Sequence, residues 1–328
     1  MDFLIGTLAD RGGSGIGRVR VEADQLHLLW MDDSLYDPHW QSISPDGRIF
    51  SISSDWPDAL NGCVSQIQVT EQGMQVVSRQ AAQGIAPCAL DFSADGRFLL
   101  CANYETGSLS VFPVDANGLG PCMQLIRHQG HGPHPTRQAE PHVHQVTAIP
   151  TLPHRFCVVD LGIDALVVYR QAADGLLSEC YRISVPAGQG PRHVAYAPDG
   201  SAYLITELGN RVYPVFFFGE TEGHVQEPGV STLMDDQTPS AAAALWASPD
   251  GKWLYASNRG EGTIARFALP SLQRDASYRL MGMEPRDFCL VDEHLILAAC
   301  QDAGLTLLRD GQIVDTLPFP GAVRVVKL

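Results

Sequence analysis

The sequence predicts an all-β protein, a seven-bladed β-propeller in which strands from the two ends of the chain share one blade. Three observations support this prediction. A unit made of a strand, an x-Asp-Gly turn, a second strand, a polar loop and a third strand recurs along the chain. Its strands alternate apolar and polar residues and are rich in Val, Leu, Ile, Tyr and Phe. The two termini each resemble a different part of this unit.

The turn glycines of four clear units give the period of the repeat. They are Gly47, Gly96, Gly200 and Gly251, and their successive spacings are 49, 104 and 51 residues. The middle spacing equals two periods of about 52 residues, and a fifth unit with one extra turn residue begins there at His144. The Asp-Gly pairs favour tight hairpin turns, because glycine accepts positive φ without a steric penalty.

The last two units are less regular. A sixth unit begins at Arg286 and has a shortened turn. Residues 3–21 resemble the second and third strands of a unit, whereas residues 321–328 resemble a first strand. Pairing the two termini in one blade closes the ring and removes an open sheet edge. We therefore expect residues 1–328 to form one domain, with the proline- and histidine-rich stretch 128–141 as an inserted surface loop.

The composition argues against several partners and locations. The chain carries 22 basic and 37 acidic residues, a net charge of −15, which disfavours nucleic acids and anionic membranes as partners. We expect no signal peptide, because Asp2 stands where positive charge is usual, and no apolar run reaches the roughly 18 residues of a membrane span. The eight cysteines are scattered without a CxxC pair, which favours a reduced, cytoplasmic protein over a disulfide scaffold or a zinc site.

Alignment of the units places polar residues at equivalent positions around the central channel. The first strand of each blade lies innermost, so that equivalent residues form a ring. The inner ring comprises His39, Cys88, His144, Arg192, Ala243 and Arg286. The outer ring, at the end of the second strand, comprises Ser54, Asn103, Asp160, Glu207, Asn258 and Gln301, and the position after it holds Tyr104, Leu161, Leu208 and Arg259.

Cations and a carboxylate at ring positions predict a site for an anionic ligand at the channel mouth. The residues expected to converge there are His144, Arg192, Glu207 and Arg259, with Arg286 and His193 nearby. The structural alternative is that a propeller channel is wet and lined with polar side chains in any case. Cys88 is a weaker candidate for a nucleophile, because neither ring places a base beside it.

Several short stretches carry a resemblance to a known family. They are GPRHV from Gly190, TEL from Thr206, SPDG from Ser248, SNRG from Ser257 and PRDF from Pro285. Together they resemble the seven-bladed propeller lactonases typified by bacterial 6-phosphogluconolactonase, and the likeness spans essentially the whole chain. The same family includes a propeller enzyme that forms a lactone from a muconate.

The resemblance implies a hydrolase that converts 6-phosphogluconolactone to 6-phosphogluconate in the pentose phosphate pathway, without a metal or other cofactor. It implies catalytic roles for His144, Glu207, Arg192 and Arg259. We expect the small anionic sugar lactone to be bound by His193, Arg286, Asn103, Asp160 and Asn258. Glu207 or His144 would be the general base, and the arginines would hold the developing oxyanion or the substrate phosphate. A monomer or weak homodimer is expected.

Two alternatives remain open. Another class of propeller lactonase holds Ca²⁺ in its channel, and Asn103, Asp160, Glu207 and Asn258 carry the oxygen ligands that Ca²⁺ prefers. The second alternative is a non-enzymatic propeller that displays a binding face. Against it, the sequence has no WD or GH repeat signature, and its ring charges gather at the channel. Within the lactonase hypothesis, another lactone or a lactonising reaction also remains open.

Overall fold

The computed structural model describes residues 1–54, 62–219 and 221–328. This part of the chain forms 30 β-strands and one short 3-10 helix, Ala9–Arg11, and the strands make up seven antiparallel sheets. The predicted all-β, seven-bladed propeller is therefore confirmed. In the described residues no helix is both long and apolar enough to cross a membrane.

The first strands in the chain belong to the closing blade, and three complete blades follow them. The closing blade contains β1 (Asp2–Thr7), β2 (Ile16–Glu22) and β3 (Gln25–Asp32). Blade 1 contains β4 (Gln41–Ile43), β5 (Ile49–Ser53), β6 (Cys63–Val69) and β7 (Met74–Ala81). Blade 2 contains β8 (Pro87–Phe92), β9 (Phe98–Asn103), β10 (Ser108–Asp115), β11 (Gly118–Leu119) and β12 (Gln124–Arg127). Blade 3 contains β13 (Val143–Ala148), β14 (Arg155–Asp160), β15 (Ala165–Gln171) and β16 (Leu177–Ser184).

The remaining strands complete blades 4 to 6 and return to the closing blade. Blade 4 contains β17 (Pro191–Tyr196), β18 (Ala202–Thr206), β19 (Arg211–Phe218), β20 (Glu222–Val225) and β21 (Val230–Ser231). Blade 5 contains β22 (Ala241–Ala247), β23 (Trp253–Arg259), β24 (Thr263–Ala268) and β25 (Gln273–Arg279). Blade 6 contains β26 (Pro285–Leu290), β27 (Leu295–Cys300), β28 (Gly304–Arg309) and β29 (Gln312–Leu317). The last strand, β30 (Ala322–Lys327), is the innermost strand of the closing blade.

The two termini meet in the closing blade. Strand β30 pairs antiparallel with β1, from Phe3 opposite Lys327 to Thr7 opposite Ala322. The N-terminus supplies three strands of this blade, one more than the repeat pattern indicated. The additional strand is β3, which lies at the rim and buries only Leu26 and Trp30. Because most of its side chains face solvent, β3 lacks the alternating pattern of the inner strands.

Apolar side chains of neighbouring blades form the core. One such cluster joins Leu100 and Val111 of blade 2 to Phe156 and Val158 of blade 3, and all four are buried. Sheet faces that pack in this way bury the apolar half of each alternating strand. The turn glycines of the four clear units have positive φ angles between 68° and 88°, as the Asp-Gly pattern requires. The blades thus form a rigid ring that holds the residues at the starts of the inner strands in place.

Candidate active site

A β-bulge near the start of the innermost strand positions the inner ring. In blades 2, 3, 4, 6 and the closing blade, the innermost strand has one extra residue that lies between two paired residues and has no partner of its own on the next strand. These extra residues are Cys88, His144, Arg192, Arg286 and Val323. In blade 5, two residues in the corresponding place, Ala243 and Ala244, stand opposite one. A bulge frees its extra residue from the ladder and redirects the side chain, which explains why this ring faces the channel.

A cavity of about 540 Å³ opens at the channel mouth where the inner strands start. Its lining residues are Leu8, Asp10, Asp37, His39, Ser54, Ala86, Cys88, Tyr104, Glu105, Arg137, His144, Glu207, Arg259 and Arg286. The structure therefore brings His144, Glu207 and Arg259 together in one cavity, with Arg286. Arg192 and His193 line a smaller chamber directly beneath it.

Glu207 is the electrostatic centre of the site. It follows β18, and its backbone N–H donates to the carbonyl of Gly190 at 2.7 Å, which fixes its position. Its Oε2 lies 3.0 Å from Arg192 Nε and 2.9 Å from Arg259 Nη2. Its Oε1 accepts a hydrogen bond of 2.5 Å from Arg137 Nη2. Burial alone would raise the pKa of this carboxyl group, but the charges of Arg259 and Arg192 outweigh burial and hold the pKa well below its ordinary value.

His144 lies beside this carboxylate. Its Nε2 is 3.8 Å from Oε2 of Glu207, and its ring meets that of Tyr104 edge to face at a centroid distance of 5.4 Å. Burial, supported by the positive charge of Arg192, lowers the pKa of His144 well below its ordinary value. His144 is therefore a neutral imidazole at neutral pH, with one nitrogen able to accept a proton.

Arg192 is buried and Arg286 is partly buried, yet both remain protonated. Burial and the charge of Arg259 lower the pKa of Arg192 to about 9 and that of Arg286 to about 10, so both are cations at pH 7. Arg192 Nη1 donates to the carbonyl of Ala243 at 2.7 Å and lies 3.3 Å from both ring nitrogens of His193. Arg286 forms no ion pair with a carboxylate among the described residues, and its Nη1 is 3.5 Å from an amide oxygen of Gln301.

Arg137 is a site residue that the repeat alignment missed. It belongs to the inserted stretch 128–141, and its Nη2 also donates to Tyr104 Oη at 3.1 Å. The stretch is held by Gln138, which is fully buried and donates from its side chain to the carbonyl of Leu161 at 2.8 Å. The insertion is therefore more than a surface loop, since it delivers a cation to the cavity. An inserted residue has no equivalent in other units, so the alignment gave no signal for it.

The structure does not bring Asn103, Asp160 and Asn258 into the cavity. All three side chains are fully buried. Asp160 accepts the backbone N–H groups of His142 and Gly162 at 2.8 and 2.9 Å, and the two asparagines donate to strand hydroxyl and carbonyl groups. These side chains hold the strand ends and loops in place, because each satisfies backbone or hydroxyl groups that would otherwise be orphaned.

The Ca²⁺ alternative required the same three side chains to converge with Glu207. They remain in separate blades, and the oxygens of Glu207 are occupied by arginines. Within residues 1–54, 62–219 and 221–328, no group of three or more His, Cys, Asp and Glu side chains has the arrangement of a metal site.

The thiol of Cys88 donates to the carbonyl of His144 at 3.2 Å, and burial raises its pKa to about 12, so it is not a thiolate nucleophile.

A stack of aromatic and cationic side chains adjoins the smaller chamber, which Trp40 and Asp287 line. The guanidinium of Arg324 lies 3.8 Å from the ring centre of Trp40 and 5.7 Å from that of Trp246. The same guanidinium pairs with Asp287 at 3.0 Å. Trp40 also meets His193 edge to face at 5.7 Å, and His193 meets the imidazole of His144 at 5.3 Å.

Comparisons with known proteins agree with this geometry. The family model for "Lactonase, 7-bladed beta-propeller" matches residues 2–309. A 6-phosphogluconolactonase of Bacillus subtilis is 31% identical over 98% of this chain and 95% of its own. A solved protein from Lactobacillus plantarum is 28% identical with a TM-score of 0.89, each chain being covered to 99%. The periplasmic gluconolactonase of Pseudomonas aeruginosa is 27% identical with a TM-score of 0.89, covering 99% of this chain and 98% of that one. The chain therefore belongs to the lactonase family of seven-bladed β-propellers and is a carboxylic ester hydrolase that acts on a lactone.

Proposed function

We propose that the protein hydrolyses 6-phosphogluconolactone to 6-phosphogluconate in the pentose phosphate pathway. The observation that carries this proposal is the charge of the site in a chain of net charge −15. Arg137, Arg192 and Arg259 contact Glu207, and Arg286 adjoins them. Three further carboxylates, Asp10, Asp37 and Glu105, line the same cavity, but Asp10 and Glu105 are exposed to solvent, so the positive charge gathers around Glu207. This cluster of arginines favours a ligand that carries a phosphate, and the substrate named for the Bacillus subtilis relative is a phosphorylated sugar lactone.

His144 is the general base in this proposal. Lactone hydrolysis needs a base that takes a proton from the attacking water. Glu207 is poorly suited because both of its oxygens accept contacts from arginines and its pKa is held far below neutrality. His144 is neutral and adjoins that carboxylate, which stabilises the imidazolium formed when the proton arrives. The relationship resembles that of carboxylate and imidazole in a hydrolytic triad.

The arginines divide into two groups by their partners. Arg192 and Arg259 flank Glu207 and hence the reacting centre, so they stabilise the oxyanion that develops on the lactone carbonyl. Arg286 has no carboxylate partner among the described residues and lines the cavity, so it is the cation best placed for the substrate phosphate. After attack, the imidazolium of His144 returns its proton to the ring oxygen that leaves.

The test follows consumption of 6-phosphogluconolactone by the purified protein against the spontaneous rate, with glucono-lactone in parallel. We expect clear acceleration with and without a chelator, and a higher kcat/KM for the phosphorylated substrate. Arg286→Gln should raise KM for the phosphorylated lactone at least tenfold and reduce that preference. Arg309→Gln is the matched control, because Arg309 lies in the same blade and pairs with Asp24 outside the cavity.

The outcomes separate the parts of the proposal. No acceleration with either lactone would contradict lactonase activity on these substrates. Equal kcat/KM for both lactones would contradict the phosphate assignment, and loss of activity with a chelator, restored by Ca²⁺, would support the metal-dependent alternative. A lactone product formed from a muconate would support the lactonising alternative.

We also propose that the protein is cytoplasmic and acts as a monomer or weak homodimer. All eight cysteines are free thiols, which suits a reducing compartment. Light scattering across a range of concentrations tests the oligomeric state, and fractionation of the source cells tests the location.

A further inference from the structure

A small chamber lies directly beneath the active-site cavity. Its volume is about 20 Å³, which is room for about one water molecule. His39, Cys88, His144 and Arg286 line both the chamber and the cavity, so the two spaces adjoin across the inner ring. The chamber is also lined by Arg192 and His193, so several polar side chains border it although more of its wall is apolar. A space of this size can hold an ordered water where polar groups are close enough to bond to it.

The two ring nitrogens of His144 have different surroundings. Nε2 lies toward Glu207, at 3.8 Å from Oε2. Nδ1 is buried and has no hydrogen-bond partner among the described residues. A buried polar atom without a protein partner commonly bonds to an ordered water. Because His144 lines the chamber, a water there is within reach of the imidazole.

We propose that this chamber holds the hydrolytic water and that Nδ1 of His144 is the atom that takes its proton. This inference rests on the proposed lactonase function and adds to it the place of the nucleophile. In the required tautomer, Nε2 carries the hydrogen and faces the carboxylate of Glu207, and the lone pair of Nδ1 accepts the water O–H. A guanidinium N–H of Arg192 or Arg286 donates to the water oxygen and leaves one lone pair for attack.

The chemical step then balances as follows. The water oxygen forms a bond to the lactone carbonyl carbon while one water proton passes to Nδ1, and the carbonyl electron pair moves onto its oxygen. When this oxyanion collapses, the bond from the carbonyl carbon to the ring oxygen breaks, and Nδ1 gives its proton to that oxygen. The products are the open-chain acid and the regenerated neutral imidazole. The substrate arrives through the cavity and the water attacks from the side of the chamber.

A substitution that fills the chamber tests the proposal. Val323 lines the chamber but not the cavity, and its side chain is almost fully buried. Val323→Leu adds one methylene to a space that holds about one water. We expect kcat for the lactone to fall at least thirtyfold while KM changes less than twofold, because substrate binding on the cavity side is left intact. Val325→Leu is the matched control, since Val325 lies two residues on in the same strand but packs in the core between blades.

The possible results are distinguishable. A folded Val323→Leu protein with the kcat of the wild type would overturn the water assignment and leave the lactonase proposal intact. A wild-type protein without lactonase activity would overturn the proposed function itself. If Val323→Leu does not fold, a high-resolution crystal structure of the wild type decides: a water within hydrogen-bonding distance of His144 Nδ1 supports the proposal, and its absence from a well-defined chamber overturns it.

Discussion

Replacing Glu207 by Gln removes the one negative charge at the centre of the arginine cluster. The substitution preserves the shape of the side chain but leaves Arg137, Arg192 and Arg259 without their carboxylate. Removing one partner of a buried ion pair typically costs about 3–5 kcal/mol, because the remaining charge stays buried and uncompensated. An unfolding entropy of about 2.1 cal/mol/K per residue over 328 residues converts this loss to a fall in Tm of roughly 4–7 °C.

The freed arginines also make an anion site, which gives the prediction a second signature. Inorganic phosphate should bind the Glu207→Gln protein more tightly than the wild type and raise its Tm. At a phosphate concentration about 100-fold above Kd the gain is about 2.7 kcal/mol, or roughly 4 °C for a chain of this size. Differential scanning calorimetry with and without phosphate measures both effects. Lactonase activity should fall at least a hundredfold in the same protein, because the carboxylate no longer stabilises the imidazolium of His144.

Asp160→Asn is the matched control for this experiment. Asp160 occupies the repeat-equivalent position in blade 3 and is equally buried, but its carboxylate accepts backbone N–H groups and pairs with His128. We expect Asp160→Asn to lower Tm without any gain in phosphate response. The reasoning is refuted if Glu207→Gln keeps the Tm of the wild type within 1 °C, or if phosphate raises the Tm of all three proteins equally.

Three further predictions concern the base, the insertion and the closure of the ring. Because burial lowers the pKa of His144, kcat/KM should stay level from pH 8 to below pH 6.5 and fall only as the imidazole becomes protonated in more acidic buffer; a loss that begins near pH 7 would contradict this assignment. Arg137→Met should raise KM for the phosphorylated lactone about tenfold with little change in kcat, since Arg137 lies at the cavity rim. Steady-state kinetics measure both constants, and a larger effect on kcat than on KM would contradict this role. Deleting residues 322–328 removes the inner strand of the closing blade and should abolish cooperative unfolding in circular dichroism; a truncated protein with a normal transition would show that the pairing of β1 and β30 is dispensable.

The repeat predicted the fold because each unit has the same strand pattern and the same turn residues. Alternation with a period of two specifies strands, and the positive φ of Gly47 and its equivalents specifies the turn between them. The sequence also indicated which inner-strand position faces the channel. His144, Arg192 and Arg286 are polar at equivalent positions, where packing between strands alone does not require a polar residue. The bulges that expose these residues carry no such local signal, so they appeared only in the structure.

The outer ring was a poorer guide, for a reason of side-chain length. Glu207 reaches the cavity, whereas Asn103, Asp160 and Asn258 at equivalent positions turn back to nearby backbone and hydroxyl groups. Each of these three side chains is one methylene shorter than glutamate. Short polar side chains at strand ends bond preferentially to nearby backbone and hydroxyl groups. Alignment identifies equivalent backbone positions, but it does not say how far a side chain extends from them.

The asymmetry of the inner ring explains how a repeated scaffold makes one directed site. Blades 3 and 4 present His144 and Arg192 at the bulge, whereas blade 5 presents Ala243. The small side chain of Ala243 leaves its carbonyl open to Arg192 at 2.7 Å, and the long side chain of Arg259, from the second strand of the same blade, crosses to Glu207 at 2.9 Å. A bulky residue in place of Ala243 would occupy the space that both guanidinium groups need. Blade 5 contributes only a small residue to the inner ring, and this leaves space in which Arg192 and Arg259 converge on Glu207.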